Sequence, residues 1–172
     1  MKLRRLQKKD APLMLEWMHD KDVVQFLNGK FASKTIEDCE QFIENSTQMK
    51  NNIHLAIVDE NDIYMGTVSL KHMNMSPDRI AEFAIALRRC AMGKGFSQFA
   101  MREMIRYGLE ALELDAIYWC VSTENKRAIR FYDKNQYLRT ENVPEILRQN
   151  YEPANHKSLI WYVKGKDIDN IL

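Results

Sequence analysis

Apolar side chains along this chain change their spacing twice, and the two changes limit the folds open to it. Up to residue 51 they recur every three to four positions, as on a helix face; from 53 to 87 they run in β-branched, partly alternating stretches; from 94 the helical spacing returns. Residues 2–6 read as a short first strand. Asp10 then stands where an N-cap would, with Pro12 near the first turn and Leu13, Leu15, Trp17 and Met18 following. A second helix over 33–51 carries Ile36, Cys39, Phe42 and Ile43 at helical spacing, with Glu37 and Asp38 near its start to suit the helix dipole. Segments 53–59, 63–71 and 79–87, parted by Glu60-Asn61-Asp62 and Ser76-Pro77-Asp78, predict an antiparallel meander. Beyond it the chain predicts a long buried helix over 94–113, a strand over 116–121, a helix over 125–135, and strands over 137–143 and 159–163.

No repeat, low-complexity run or linker interrupts this order, so the 172 residues predict one domain over 1–172, large enough to bury about 70% of its unfolded surface. With 45% hydrophobic and 28% charged residues, disorder is excluded. Lys and Arg total 25 against 24 Asp and Glu, which is not the basic balance of a nucleic-acid binder. Cys39, Cys90 and Cys120 are an odd, widely spaced set, and His19, His54, His72 and His156 stand apart; neither pattern predicts a metal site or a disulfide framework, and the histidines read as packing or surface residues. The first ten residues, MKLRRLQKKD, contain no apolar leader, and no stretch approaches the ~18 apolar residues of a membrane span. A cytoplasmic protein with reduced thiols is expected.

The stretch AEFAIALRRCAMGKGFSQFA, residues 81–100, carries the chemistry. A strand ends there and a long helix begins around Gly93-Lys94-Gly95, and helix N-termini offer unpaired N–H groups and partial positive charge to an anion. The spacing matches neither the Walker loop nor the dinucleotide fingerprint. Arg88, Arg89 and Lys94 are candidate counter-charges for a phosphate.

At these residues the sequence resembles the GCN5-related N-acetyltransferases (GNAT), and within them the branch typified by the ribosomal-protein acetyltransferases. Ala81-Glu82-Phe83-Ala84-Ile85 is similar to the family's fourth strand, and Met92-Gly93-Lys94-Gly95-Phe96-Ser97 to its pyrophosphate loop. Asn125, Ala128 and Tyr132 match the half-motif N-x-x-A-x-x-x-Y. Three positions depart: Met92 replaces the usual Gln or Arg, Ser97 the usual small residue, and Gln136 the Gly before the final aromatic.

The resemblance implies a mixed α/β (α+β) GNAT-like fold, with a central, mostly antiparallel, splayed sheet flanked by helices on both faces. It implies acetyl-coenzyme A (acetyl-CoA) as co-substrate and no metal. The pantetheine arm would pair with backbone at Ile85, Ala86 and Leu87, the pyrophosphate would sit on amides of Met92, Gly93, Lys94, Gly95, Phe96 and Ser97, and Asn125, in the motif with Ala128, would hold the arm from the other side. Tyr132 would give a proton to the departing thiolate, its unperturbed pKa of about 10 keeping the phenol protonated at neutral pH. Glu82 is the candidate base for the amine, with ordered water or a solvated surface role as alternatives.

The implied reaction is direct transfer of acetyl to a primary amine in a ternary complex. The segment FYDKNQY is similar to amino-sugar acetyltransferases of surface-glycan pathways, so a nucleotide-linked amino sugar is one expected acceptor. Protein N-termini, aminoglycosides and polyamines are others, and a non-catalytic CoA-binding module is the competing class. Trp17, Phe26, Phe31 and Tyr151 are candidate pocket walls or core residues. The expected partner is a small-molecule amine, with no nucleic acid and no membrane, for a monomer or homodimer.

Overall fold

The computed structural model describes residues 1–152 and 158–166; His156 lies outside them. Strands β1 (Lys2–Arg5), β2 (Ile53–Val58), β3 (Tyr64–Asn74), β4 (Ile80–Leu87), β5 (Ala116–Ser122), β6 (Leu138–Thr140) and β7 (Leu159–Gly165) form one sheet in the order β1-β2-β3-β4-β5-β7-β6. The β1/β2, β2/β3, β5/β7 and β6/β7 pairs are antiparallel, and β4/β5 is parallel. The helices are α1 (Ala11–Met18), α2 (Lys21–Val24), α3 (Ile36–Ser46), α4 (Phe96–Arg106), α5 (Lys126–Lys134) and α6 (Glu145–Arg148). This is the mixed α/β architecture that the period changes predict. Two compact units are present, one of Met1–Leu70 with Ala84–Met104, the other of Lys71–Phe83 with the described residues after Met104.

In the first unit, α1 buries Ala11, Met14 and Trp17 and α3 buries Cys39 and Ile43, at the three-to-four spacing of single helix faces. They form one core with Ala56 and Val58, alternate residues on one face of β2, and with Tyr64. Trp17 Nε1 donates to the Tyr64 hydroxyl at 3.0 Å, and that hydroxyl also bonds Thr67 Oγ1 at 2.7 Å, so the polar atoms of this core are paired. Phe31 packs against Trp17 at 5.5 Å.

Two local expectations shift. Asp10 occupies the N-cap position of α1, but its carboxylate turns back to Arg4, taking two guanidinium bonds at 2.7 and 2.8 Å, and accepts the Gln7 N–H at 2.8 Å. A buried carboxylate paired with a bidentate arginine outcompetes a single cap bond. The second helix starts three residues later than predicted and ends five earlier. Thr35 and Asp38 close a capping box at its start, and Ser46 and Thr47 hydroxyls bond the last-turn carbonyls of Ile43 and Glu44 at its end. The four-residue α2 after Asp20 has no apolar periodicity to reveal it.

In the second unit, β5 pairs with β7 over seven residues, and the two faces differ. One carries Ile80, Ala116, Val143, Leu147, Trp161 and Val163, with Tyr118, Cys120 and Tyr151 packed against them. The other centres on Trp119, stacked on Tyr162 at 5.8 Å and ringed by Phe83, Tyr132 and Tyr137. The long predicted helix stops at Arg106 and widens into a π turn over Tyr107–Ala111, where buried Gly108 sits. The strand predicted over 137–143 shortens to β6, because Thr140 Oγ1 caps the Asn142 N–H and Pro144 follows.

Candidate active site

The parallel ladder between β4 and β5 holds three pairs, Ile80↔Ala116, Ala81↔Ile117 and Glu82↔Tyr118, and stops there although β4 continues to Leu87. Ile85 and Ala86 on that continuation are half-buried and Leu87 is buried. A Cβ at Gly66 would stand 2.3 Å from the Ala86 carbonyl oxygen, so only glycine lets β3 come this close to β4 at that point. Sequence reasoning passed over Gly66; the signal was an isolated glycine inside a β-branched run.

The strand leads to the 92–97 loop. Gly93 and Gly95 have φ of +77° and +84°, the left-handed region that suits glycine. The first bond of α4 runs from Phe99 N–H to the Gly95 carbonyl. Among the described residues the N–H groups of Gly93, Gly95, Phe96 and Ser97 donate to nothing. Among the described residues a Cβ at Gly93 would meet nothing within 4 Å, and one at Gly95 would meet the Met1 methyl at 3.8 Å. This is an open cradle of backbone donors at the start of an eleven-residue helix, and its chemistry fits a pyrophosphate.

The expected counter-charges are mostly committed elsewhere. Arg88 makes a bidentate pair with Glu16, at 3.0 and 2.9 Å, and Arg89 pairs with Asp20 and Asp22. Lys94 alone of the three forms no ion pair among the described residues.

In the second unit, Asn125 caps α5: its side-chain oxygen accepts the Ala128 N–H at 3.1 Å, which explains the three-residue spacing of the motif. The Asn125 amide NH₂ is left to donate, and Ala128 offers its methyl group only. Tyr132 is buried in the aromatic nest, its hydroxyl makes no hydrogen bond among the described residues, and burial raises its pKa. The neighbouring Trp119 Nε1 is likewise buried and unpartnered.

Glu82 is 2% exposed on the opposite face, the one shared with Tyr118 and Cys120. Its Oε1 accepts from the Tyr151 hydroxyl and lies 3.3 Å from Lys71 Nζ. Its Oε2 makes no hydrogen bond, and His72 Nε2 stands 3.7 Å away. Glu82 and Tyr132 therefore face opposite sides of one sheet. Of the candidate pocket walls, Trp17 belongs to the first unit's core and Tyr151 holds Glu82. Lys71 and His72 were not legible as site residues, because their contact with Glu82 is made between strands.

A model of the acetyltransferase (GNAT) domain family matches residues 1–137. The uncharacterized N-acetyltransferase p20 of Bacillus licheniformis is 27% identical over 164 residues, covering 94% of this chain and 89% of the relative. The acetyltransferase PseH of Campylobacter jejuni is 24% identical over 132 residues, covering 77% of this chain and 79% of that protein. Among solved structures, spermidine N-acetyltransferase from Vibrio cholerae in complex with CoA and spermine superposes with a TM-score of 0.79 at 18% identity, over 96% of this chain and 95% of that one. Among the described residues no helix is long and apolar enough to cross a membrane, and no group of His, Cys, Asp or Glu is arranged to hold a metal ion.

Proposed function

Since the chain belongs to the GNAT acetyltransferases, enzymes that use acetyl-CoA to acetylate amines, we propose that it acetylates the primary amine of a small molecule by direct attack on the thioester. The observation that carries this reading is the run of unpaired amides at Gly93, Gly95, Phe96 and Ser97, held open by two glycines at positive φ. These four donors hold the pyrophosphate and Lys94 adds its charge, whereas the Met92 and Lys94 N–H groups, expected among the donors, are spent on the Arg89 and Ala91 carbonyls. Backbone at Ile85, Ala86 and Leu87 pairs with the pantetheine arm, and the Asn125 NH₂ donates to it.

Tyr132 supplies the acid. Expelling a thiolate is easier when a proton reaches the sulfur, and a buried phenol with no hydrogen-bond partner among the described residues keeps its proton for that transfer. Glu82, at the last β4/β5 pair, supplies the base from the other face of the sheet, reaching the thioester through the gap that opens beyond that pair; it acts through Oε2, the oxygen that no group among the described residues satisfies. An ammonium donor restores the missing bond, and a buried carboxylate left with an open acceptor favours such a guest.

The acceptor we favour is a nucleotide-linked amino sugar, on the similarity of FYDKNQY to amino-sugar acetyltransferases. A polyamine is the second reading, on the fold shared with the spermidine N-acetyltransferase and on the anionic Glu82 site. The test is release of CoA thiol from acetyl-CoA against nucleotide-linked amino sugars, polyamines, aminoglycosides and N-terminal peptides, with Tyr132→Phe as control. Turnover of an amino sugar that collapses in the variant is the expected result. Turnover of a polyamine alone replaces the first acceptor with the second. Tight CoA binding with no turnover anywhere favours a non-catalytic module, and absence of CoA binding overturns the site.

A further inference from the structure

Glu82 cannot remain a base through repeated turnovers unless the proton it takes has a way out, and its surroundings leave few routes. The carboxylate is 2% exposed. The titratable groups facing it are Lys71 and His72 from β3, Cys120 from β5 and Tyr151 beyond α6. Three of them offer no acceptor: Tyr151 donates to Oε1 and burial pushes its phenol up, burial pushes the Cys120 thiol up to about 12, and Lys71 Nζ makes an ion pair with Oε1. His72 is the exception, since burial lowers its pKa from an ordinary value of 6.5 and leaves the ring neutral at neutral pH.

We propose that His72 is the proton outlet of Glu82, receiving through Nε2 the proton that Oε2 takes from the amine and passing it to water. The imidazole stands 3.7 Å from Oε2, a gap that one water or a small ring rotation closes, and its side chain is 36% exposed. The backbone at His72 has φ of +51°, an uncommon conformation for a residue with a side chain, held here within a strand. The bookkeeping of the step is complete. The amine's electron pair forms the N–C bond and the C–S pair leaves on sulfur, which takes the Tyr132 proton; the nitrogen's proton moves to Oε2, then to Nε2, the imidazolium releases one to solvent, and the Tyr132 phenolate takes one back from solvent as the CoA thiol departs. Tyr151 acts through Glu82 as a positioning residue, fixing Oε1 so that Oε2 faces the exchange.

This inference rests on Glu82 as base, and the experiment separates the two. Asn and Gly both suit the positive φ, so His72→Asn and His72→Gly remove the imidazole without disturbing the strand. By NMR titration of both proteins, the His72 pKa should be lower in Glu82→Gln than in the wild-type chain by about 0.5 or more, because a neighbouring carboxylate stabilises imidazolium. An unchanged value overturns the proposal before any acceptor is needed. In the thiol-release assay with spermidine and a nucleotide-linked amino sugar as probes, H72N should lower kcat about tenfold or more with KM within about twofold, and remove the acid limb of the pH profile. Added imidazole should restore H72G. Wild-type kcat and limb in H72N, alongside a collapsed E82Q, overturn the outlet and spare the base. Loss in H72N with an unchanged limb and no rescue marks a merely structural histidine and also overturns it. An active E82Q removes the base itself.

Discussion

Tyr132 shows how one side chain serves packing and chemistry together. Its ring lies 4.9 Å from Tyr162 and 5.7 Å from Trp119, and those contacts would satisfy a plain core residue. The hydroxyl distinguishes it, since it makes no hydrogen bond among the described residues although the residue is buried. Tyr132→Phe keeps the ring and deletes the proton, so the fold should hold while kcat falls about a hundredfold and KM for acetyl-CoA stays within about twofold. Steady-state kinetics beside a melting curve check this; a variant with full activity would remove Tyr132 as the acid. Because burial raises the phenol's pKa, the wild-type rate should show no alkaline limb from Tyr132 below about pH 10.

At the scale of elements, α5 separates binding from stability at its two ends. Asn125 caps the start with its oxygen, and its NH₂ donates to nothing among the described residues. Asn125→Asp retains the cap acceptor and loses the donor, so it should leave stability near wild type and raise KM for acetyl-CoA; Asn125→Ala loses both and should cost about 1 kcal/mol as well. Equal effects of the two on KM and stability would remove the separate donor role. At the other end Gln136 has φ of +58°, with its N–H on the Asp133 carbonyl and the Tyr137 N–H on the Tyr132 carbonyl, a Schellman closure that normally ends in glycine. The departure from the family pattern at Gln136 is thus one of side chain and not of backbone. Gln136→Gly should stabilise the chain by about 1 kcal/mol, seen as a rise of about 2–4 °C in melting temperature. A fall would mean that the side chain makes contacts worth more than the strain.

For the whole molecule, legibility followed range along the chain. Element order, the Gly93-Lys94-Gly95 junction and the Asn125 cap rest on neighbours in sequence, and were readable. The reach of Lys71, His72 and Tyr151 to Glu82, and the use of Arg88 and Arg89 in ion pairs, rest on strand pairing and tertiary approach, which periodicity does not encode. Tertiary contacts of this kind also set how the fold answers to pH. Asp20, Asp62 and Asp133 are held below their ordinary values by Arg89, Lys9 with Arg4, and Arg139 respectively; these part-exposed pairs favour the fold above the usual carboxylate range and stop doing so as acid titrates them. At the alkaline end, burial raises Cys120 from 9.0 to about 12 and pushes Tyr64 and Tyr132 up from 10.0. A folded-state pKa above the unfolded one means stability is complete below the unfolded value and declines as pH climbs toward the folded one, because the unfolded chain sheds the proton first. The urea midpoint should therefore be flat from neutrality to about pH 9 and fall beyond it, first with the thiol and from about pH 10 with the two phenols. Because burial also raises the Cys39 thiol, replacing Cys39 and Cys120 together by Ala should delay the onset toward pH 10 and leave the steeper phenol-driven fall in place. A midpoint that stays level to about pH 11 would contradict burial of all three groups at once, and with it the packing that holds Tyr132 beneath the sheet's aromatic face.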